Sequence, residues 1–240
     1  MKGIYLVGGY PDRKTFRRCL LAVAEAGADF VEVGIPFNDP VADGPVIADA
    51  TLKAANAGIT ADMVLEDIEA VGEIQTAVYA MTYSNILYSY GIRRFSDRSR
   101  DTLHGVILAD LPNRMHRFFR DRGMAVPLIP FATLESRDDD FTSMVDGPGG
   151  FIYFVGLRGI TGSSADFRSP EITDRMRSLK TRTGKNVVVG FGVKTVDDAR
   201  SALALGDGFV VGTEAVKRQR DVNALREYVE VILGHPSMTC

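Results

Sequence analysis

Short apolar runs rich in β-forming residues recur along the chain, at Ile4–Val7, Phe30–Gly34, Thr76–Ala80, Gly105–Ala109, Ala125–Ile129, Gly150–Val155, Asn186–Gly190 and Gly208–Val211. Longer segments of helical period separate them, near Arg13–Ala26, Val46–Ala57, Ala61–Val71, Arg93–Arg100, Arg114–Arg122, Asp138–Val145, Pro170–Thr183, Val196–Leu205 and Glu214–Leu233. Runs of period two alternating with segments of period 3.6 predict parallel strands joined by crossover helices. Boundary residues agree: Thr195 is placed to cap the helix starting at Val196, and Gly27, Gly123 and Gly206 stand just past helix ends. Eight such units predict an α/β fold, a single-domain (β/α)8 TIM barrel over residues 1–240, with reactive groups at the C-terminal ends of the strands. A doubly wound open sheet is the competing layout, but Gly8-Gly9-Tyr10-Pro11 lacks the spacing of a dinucleotide fingerprint and Pro11 interrupts it.

In a barrel, the strand ends bring together Glu32, then Asp39 and Asp43 in the following loop, Tyr83 and Asn85 after strand three, and Asp110 after strand four. Glu32 lies two residues before Gly34, and period two separates it from Val31 and Val33 and turns it into the barrel. A carboxyl there is desolvated, which raises its pKa toward the range useful for proton transfer. The alternative is an acid paired with an internal Arg or Lys. Asp43 sits in a loop stiffened by Pro36, Pro40 and Pro45, and read locally it fits an Asx-type turn or a helix cap before Val46 as well as it fits catalysis. Asp110, before Leu111-Pro112, reads as loop support rather than direct chemistry.

The last three strands run into glycine-rich turns: Gly159-Ile160-Thr161-Gly162-Ser163-Ser164, Gly190-Phe191-Gly192 and Gly212-Thr213. Glycine lets backbone N–H groups approach a ligand closely, and a following helix N-terminus adds partial positive charge, so these turns predict an anion site. Barrels of this kind commonly hold phosphate after strands seven and eight. The Gly159–Ser164 turn reads either as a closing lid or as a long surface loop.

Composition narrows the function. A formal net charge of -3 gives no global attraction to nucleic acid or an anionic membrane, and the basic runs Arg93-Arg94 and Lys217-Arg218-Gln219-Arg220 read as solvated helix faces. Two cysteines, Cys19 and Cys240, make neither a disulfide framework nor a metal-ligand spacing, which points to the reducing cytoplasm. Met1–Pro11 carries too short an apolar run for a signal peptide, and no window reads as a membrane span.

The stretch Glu32-Val33-Gly34-Ile35-Pro36-Phe37-Asn38-Asp39-Pro40-Val41-Ala42-Asp43-Gly44-Pro45 resembles the E-L-G-x-P-F-S-D-P-x-A-D-G-P signature of tryptophan synthase α subunits. Tyr83-Ser84-Asn85, Leu108-Ala109-Asp110-Leu111-Pro112, Gly159-Ile160-Thr161-Gly162, Gly190-Phe191-Gly192-Val193 and Val211-Gly212-Thr213 match in the same order. The resemblance implies a lyase of tryptophan biosynthesis that cleaves indole-3-glycerol phosphate to indole and glyceraldehyde 3-phosphate by a retro-aldol reaction, with no metal or organic cofactor. It implies Glu32 as general acid/base and Asp43 as acceptor of the indole N–H. It further implies Tyr5, Met81 and Ile107 in the indole pocket, Tyr83 and Tyr153 beside the substrate, and Thr161 as a lid contact of Asp43. Gly162, Gly192, Gly212 and Thr213 would form the phosphate cradle.

A partner is implied as well: a β subunit in an α2β2 complex, which carries pyridoxal phosphate and faces the loop of Asn38, Asp39 and Pro40. The chain departs from the family pattern in several places. Ile4 already lies in strand one, where the family has a further helix, and Leu157-Arg158 alters the start of the lid. Thr213 and Asn38 replace serines, and Glu214 follows the cradle. Two other readings remain open at this point: a weakly catalytic barrel that mainly activates the β subunit, and a barrel acting on another phosphosugar.

Overall fold

The computed structural model describes residues 1–72, 74–145, 150–156 and 169–234. Eight parallel strands run β1 (Lys2–Val7), β2 (Phe30–Gly34), β3 (Ala77–Thr82), β4 (Gly105–Leu108), β5 (Phe131–Thr133), β6 (Phe151–Val155), β7 (Asn186–Val189) and β8 (Gly208–Val211). They pair in the order β4-β3-β2-β1-β8-β7-β6-β5. A single bridge from Val106 to Leu128 joins the two ends, with Val106 N–H donating to the Pro127 carbonyl at 2.8 Å and Ile129 N–H donating to the Val106 carbonyl at 2.9 Å. The sheet is thereby closed into the expected (β/α)8 barrel.

Strand alternation sorts the side chains into two cores. Ile4, Leu6, Val31, Val33, Val78 and Ala80 face outward into a shell shared with the helices. Tyr5, Val7, Phe30, Tyr79, Phe151 and Tyr153 face inward. The inner layer is aromatic: the Phe30, Tyr79 and Phe151 ring centroids lie 5.2–5.6 Å apart. Glycine makes room for these rings, since a Cβ on Gly3 would stand 2.2 Å from the Phe30 ring and one on Gly105 would stand 2.9 Å from Tyr79. The interior is packed solid at this level.

The first helix, α1 (Arg13–Glu25), shows how the outer layer attaches. Asp12 accepts the Thr15 N–H at 2.9 Å as its cap, and Phe16, Cys19, Leu20 and Val23 form one buried face at helical spacing. Other helices that position the site are α2 (Pro45–Asn56), α3 (Ala61–Ala70), α4 (Ser84–Tyr90), α5 (Ile92–Ser99), α6 (His116–Arg120), α7 (Asp138–Val145), α8 (Pro170–Thr183) and α9 (Val196–Leu205), whose Thr195 and Asp198 complete a capping box. Among the described residues no helix is long and apolar enough to cross a membrane.

Four expectations need correction. Strand five is not 125–129: that stretch makes only the seam bridge to β4, and the ladder to β6 forms at Phe131–Thr133. Pro127 and Pro130 explain the shift, because neither has an N–H to give a ladder. Helix α4 was not foreseen; Asp110 starts it by accepting the Ser84 N–H and hydroxyl, each at 2.7 Å, so the loop-supporting role for Asp110 holds. The last helical segment is two helices, α10 (Thr213–Arg218) and α11 (Val222–Leu233), the second capped by Asp221. Nor is the run Lys217–Arg220 wholly solvated. Gln219 is buried, donates to the Val7 and Tyr10 carbonyls at 2.7 and 2.8 Å, and accepts the Val7 N–H at 2.9 Å, which ties down the end of β1.

Candidate active site

A cavity of about 340 Å3 opens at the C-terminal mouth of the barrel. Tyr5, Glu32, Asp43, Met81, Tyr153, Gly192, Gly212 and Thr213 all line it, so residues far apart in sequence meet as expected. Glu32 is fully buried, and neither of its carboxylate oxygens has a hydrogen-bond partner among the described residues. Burial pushes its carboxyl up to about 8; the Tyr153 hydroxyl works in the opposite direction and the charge of Asp43 adds to the rise. Among the described residues Glu32 therefore has no internal Lys or Arg partner. Glycine again makes space nearby, since a Cβ on Gly34 would stand 2.1 Å from the Tyr5 hydroxyl and one on Gly190 2.0 Å from the Tyr153 ring.

Asp43 is not a helix cap. Gly44 occupies the N-cap position of α2, and Pro45 follows in its first turn. The Asp43 side chain instead accepts the Tyr83 hydroxyl at 3.4 Å, and that hydroxyl in turn accepts the Ala42 N–H at 3.0 Å. Tyr83 is buried but sits behind the loop and does not line the cavity, so it braces Asp43. Burial pushes Asp43 up to about 6, against the bond from Tyr83. Two carboxyls in one cavity thus have pKa values separated by their surroundings.

Across the mouth, the surface is made of the turns after β7 and β8. Gly192 has φ +72°, a left-handed conformation that glycine adopts without strain. Glu214, which threatened to repel an anion, is held by its own helix: Lys217 and Arg218 donate to it at 2.7 Å each. Burial acts to raise its pKa, but those bonds outweigh it and the carboxyl stays below its ordinary range. Thr161 and Gly162 lie outside the described residues. Asn38 and Asp39 are exposed and Pro40 half-buried, on the outer side of the loop and away from the cavity lining.

Ile107 does not reach the cavity, because it is fully buried in the inner core. Phe131, Phe191 and Lys194 line the cavity but were not singled out. Phe131 was hidden by the misplaced strand five, and its ring stacks on that of Tyr153 at 5.4 Å and 19°. Phe191 stood inside a motif read only for its glycines. Among the described lining residues Lys194 is the one Lys or Arg, a cation on the side opposite the two acids. No group of three or more His, Cys, Asp or Glu residues among those described could hold a metal ion.

Fold and site together define a (β/α)8 barrel with two desolvated carboxyls at its mouth, set in a cavity with aromatic walls. The chain belongs to the tryptophan synthase alpha chain family, whose profile matches residues 4–233. Among curated relatives, the tryptophan synthase alpha chain of Staphylococcus aureus (strain bovine RF122 / ET3-1) is 38% identical over 202 residues, covering 82% of each chain. A structure of the tryptophan synthase α2β2 complex from the hyperthermophile Pyrococcus furiosus superposes with a TM-score of 0.87 at 29% identity, covering 97% of each chain. Mycobacterium tuberculosis tryptophan synthase gives 0.86 at 28% identity, covering 96% of this chain and 90% of that one.

Proposed function

We propose that this chain cleaves indole-3-glycerol phosphate to indole and glyceraldehyde 3-phosphate as the α subunit of tryptophan synthase. The observation that carries this reading is Glu32, a buried carboxyl that faces the Tyr153 hydroxyl and no Lys or Arg among the described residues, in a cavity that Asp43 shares. Near neutral pH, burial keeps Glu32 protonated while Asp43 is ionised. Glu32 gives its proton to indole C3, and the positive charge that develops on the ring is met at N1–H by the Asp43 carboxylate. The Glu32 carboxylate then takes the proton of the glycerol hydroxyl next to C3. That hydroxyl becomes the aldehyde, the carbon–carbon bond breaks, and its electron pair returns to the ring. One proton is given and one taken, so Glu32 ends as it began.

Phosphate would be held by the backbone of Gly192 and Gly212 and by the Thr213 hydroxyl, with Gly162 completing the cradle. Thr161 would contact Asp43 on closure. The aromatic wall of Tyr5, Phe131 and Phe191 suits an indole. Asn38, Asp39 and Pro40 would face a β subunit that carries the pyridoxal phosphate, in the cytoplasm. A barrel that merely activates its partner has no need of Glu32: an acid buried without a basic partner costs stability and is disfavoured unless it is used. Indole release from indole-3-glycerol phosphate, with and without a β subunit, tests the proposal; no release under either condition overturns it.

A further inference from the structure

Strand β5 has a ladder on one side only. Toward β6 it pairs Phe131 with Tyr153, and the Tyr153 N–H donates to the Pro130 carbonyl at 2.8 Å. On the other side β4 has ended at Leu108, and the last bridge across that seam is Val106 with Leu128. Successive backbone groups of an extended chain alternate sides, so the N–H and carbonyl of Phe131 face the gap where β4 is missing. Left unpaired there, they would carry the desolvation cost of orphaned backbone groups.

A side chain fills the gap. The Asn113 Nδ2 donates to the Phe131 carbonyl at 2.7 Å, and its Oδ1 accepts the Phe131 N–H at 2.9 Å. A carboxamide offers the same donor and acceptor pair as a peptide unit, so Asn113 supplies a ladder rung at a position where the strands supply none. It is buried, 18 residues from Phe131 in sequence, in the 3-10 turn 113–115 beyond Asp110-Leu111-Pro112. Asn113 itself does not line the cavity, whereas Phe131 does and stacks on Tyr153, whose hydroxyl faces Glu32.

We propose that Asn113 is a positioning residue for substrate binding, which holds the Phe131–Tyr153 wall of the cavity by completing the β4–β5 seam. This rests on the reading of the cavity as the indole-3-glycerol phosphate site.

The test uses the full chain with a β subunit and compares the wild type with Asn113→Ala and Asn113→Asp. It measures kcat and KM for indole release and Kd for indole-3-propanol phosphate across pH. Asn113→Ala is expected to raise KM and Kd about tenfold, the scale of one lost buried hydrogen-bond pair, with the smaller change in kcat. Asn113→Asp is diagnostic, because its carboxyl presents the original donor and acceptor when protonated and loses the donor when ionised. Its Kd relative to wild type is expected to be about tenfold raised at alkaline pH and to approach the wild-type value on acidification. A residue that only supports the fold would lower Tm and leave these ratios flat. Should Asn113→Ala not fold, the pH course of Asn113→Asp decides. Ratios near one at every pH, or a penalty that does not shrink with acid, overturn the proposal. With an active wild type, that result leaves the proposed function standing; an inactive wild type overturns both.

Discussion

On the β2 side of the mouth the working groups are side chains, Glu32 and Asp43, whose properties come from what surrounds them. Across the cavity, after β7 and β8, glycines shape the backbone of the turns, and Phe191, Lys194 and Thr213 stand among them. The acid side depends on desolvation, which raises both carboxyls. The glycine side depends on backbone conformation, as at Gly192 with φ +72°. Substitutions on the acid side should therefore change turnover and its pH course, while those on the glycine side should change affinity.

The sharpest break of this contrast is Glu32→Gln, which keeps the shape and removes the proton. Indole release is expected to fall about a thousandfold with KM little altered, and steady-state kinetics check it. Undiminished turnover would remove Glu32 from the mechanism. Asp43→Asn should cost about a hundredfold in kcat, since the ring nitrogen loses a negative counterpart in a desolvated site. The kcat/KM profile of the wild type should be bell-shaped, rising as Asp43 ionises near about 6 and falling as Glu32 loses its proton near about 8. In Asp43→Asn the lower limb should disappear.

The same burial carries a cost in stability. The folded pKa of Glu32, about 8, lies above its ordinary 4.5, so between those values the folded chain holds a proton the unfolded chain has released. Stability supplied by the neutral acid is thus full below about pH 4.5 and is lost as pH rises to about 8. Glu32→Gln should melt above the wild type at pH 8–9, with a margin that shrinks toward pH 5, as thermal scans at several pH values will show. An inactive variant that is more stable would separate catalysis from folding at this residue.

Effects on the glycine side should be smaller and lie in KM. Gly192→Ala puts a side chain at φ +72° and should cost about 1–2 kcal/mol in local strain, raising KM about tenfold with kcat largely kept. Thr213→Ala should raise KM several-fold and Thr213→Ser hardly at all, because only the hydroxyl is asked for. A large kcat loss in either would mean that the two sides are coupled and do not act separately.

Much of this arrangement was legible in the residues themselves. Period two along Phe30–Gly34 aimed Glu32 inward, and the glycine turns after strands seven and eight marked the far wall of the cavity. Other parts were not legible because their causes lie across the fold. Strand five slipped because Pro127 and Pro130 interrupt a run that looks continuous by hydropathy alone. Asp43 fits a cap and catalysis equally well in the local sequence, and the fold decides between them, since Gly44 occupies the cap position and the Tyr83 hydroxyl lies against the carboxyl. Ile107 had the right strand position, but the aromatic packing encloses it completely.

The sequence by itself determined the number of strands, the inward direction of Glu32 and the glycine turns, because alternation and backbone freedom are local properties. Only the tertiary structure decided that burial pushes Glu32 up to about 8, that Phe131 forms the wall beside Tyr153, and that Asn113 stands in for a missing rung of the barrel. Desolvation and ladder closure are set by neighbours that meet only when the sheet curls shut, and no stretch of chain carries them alone.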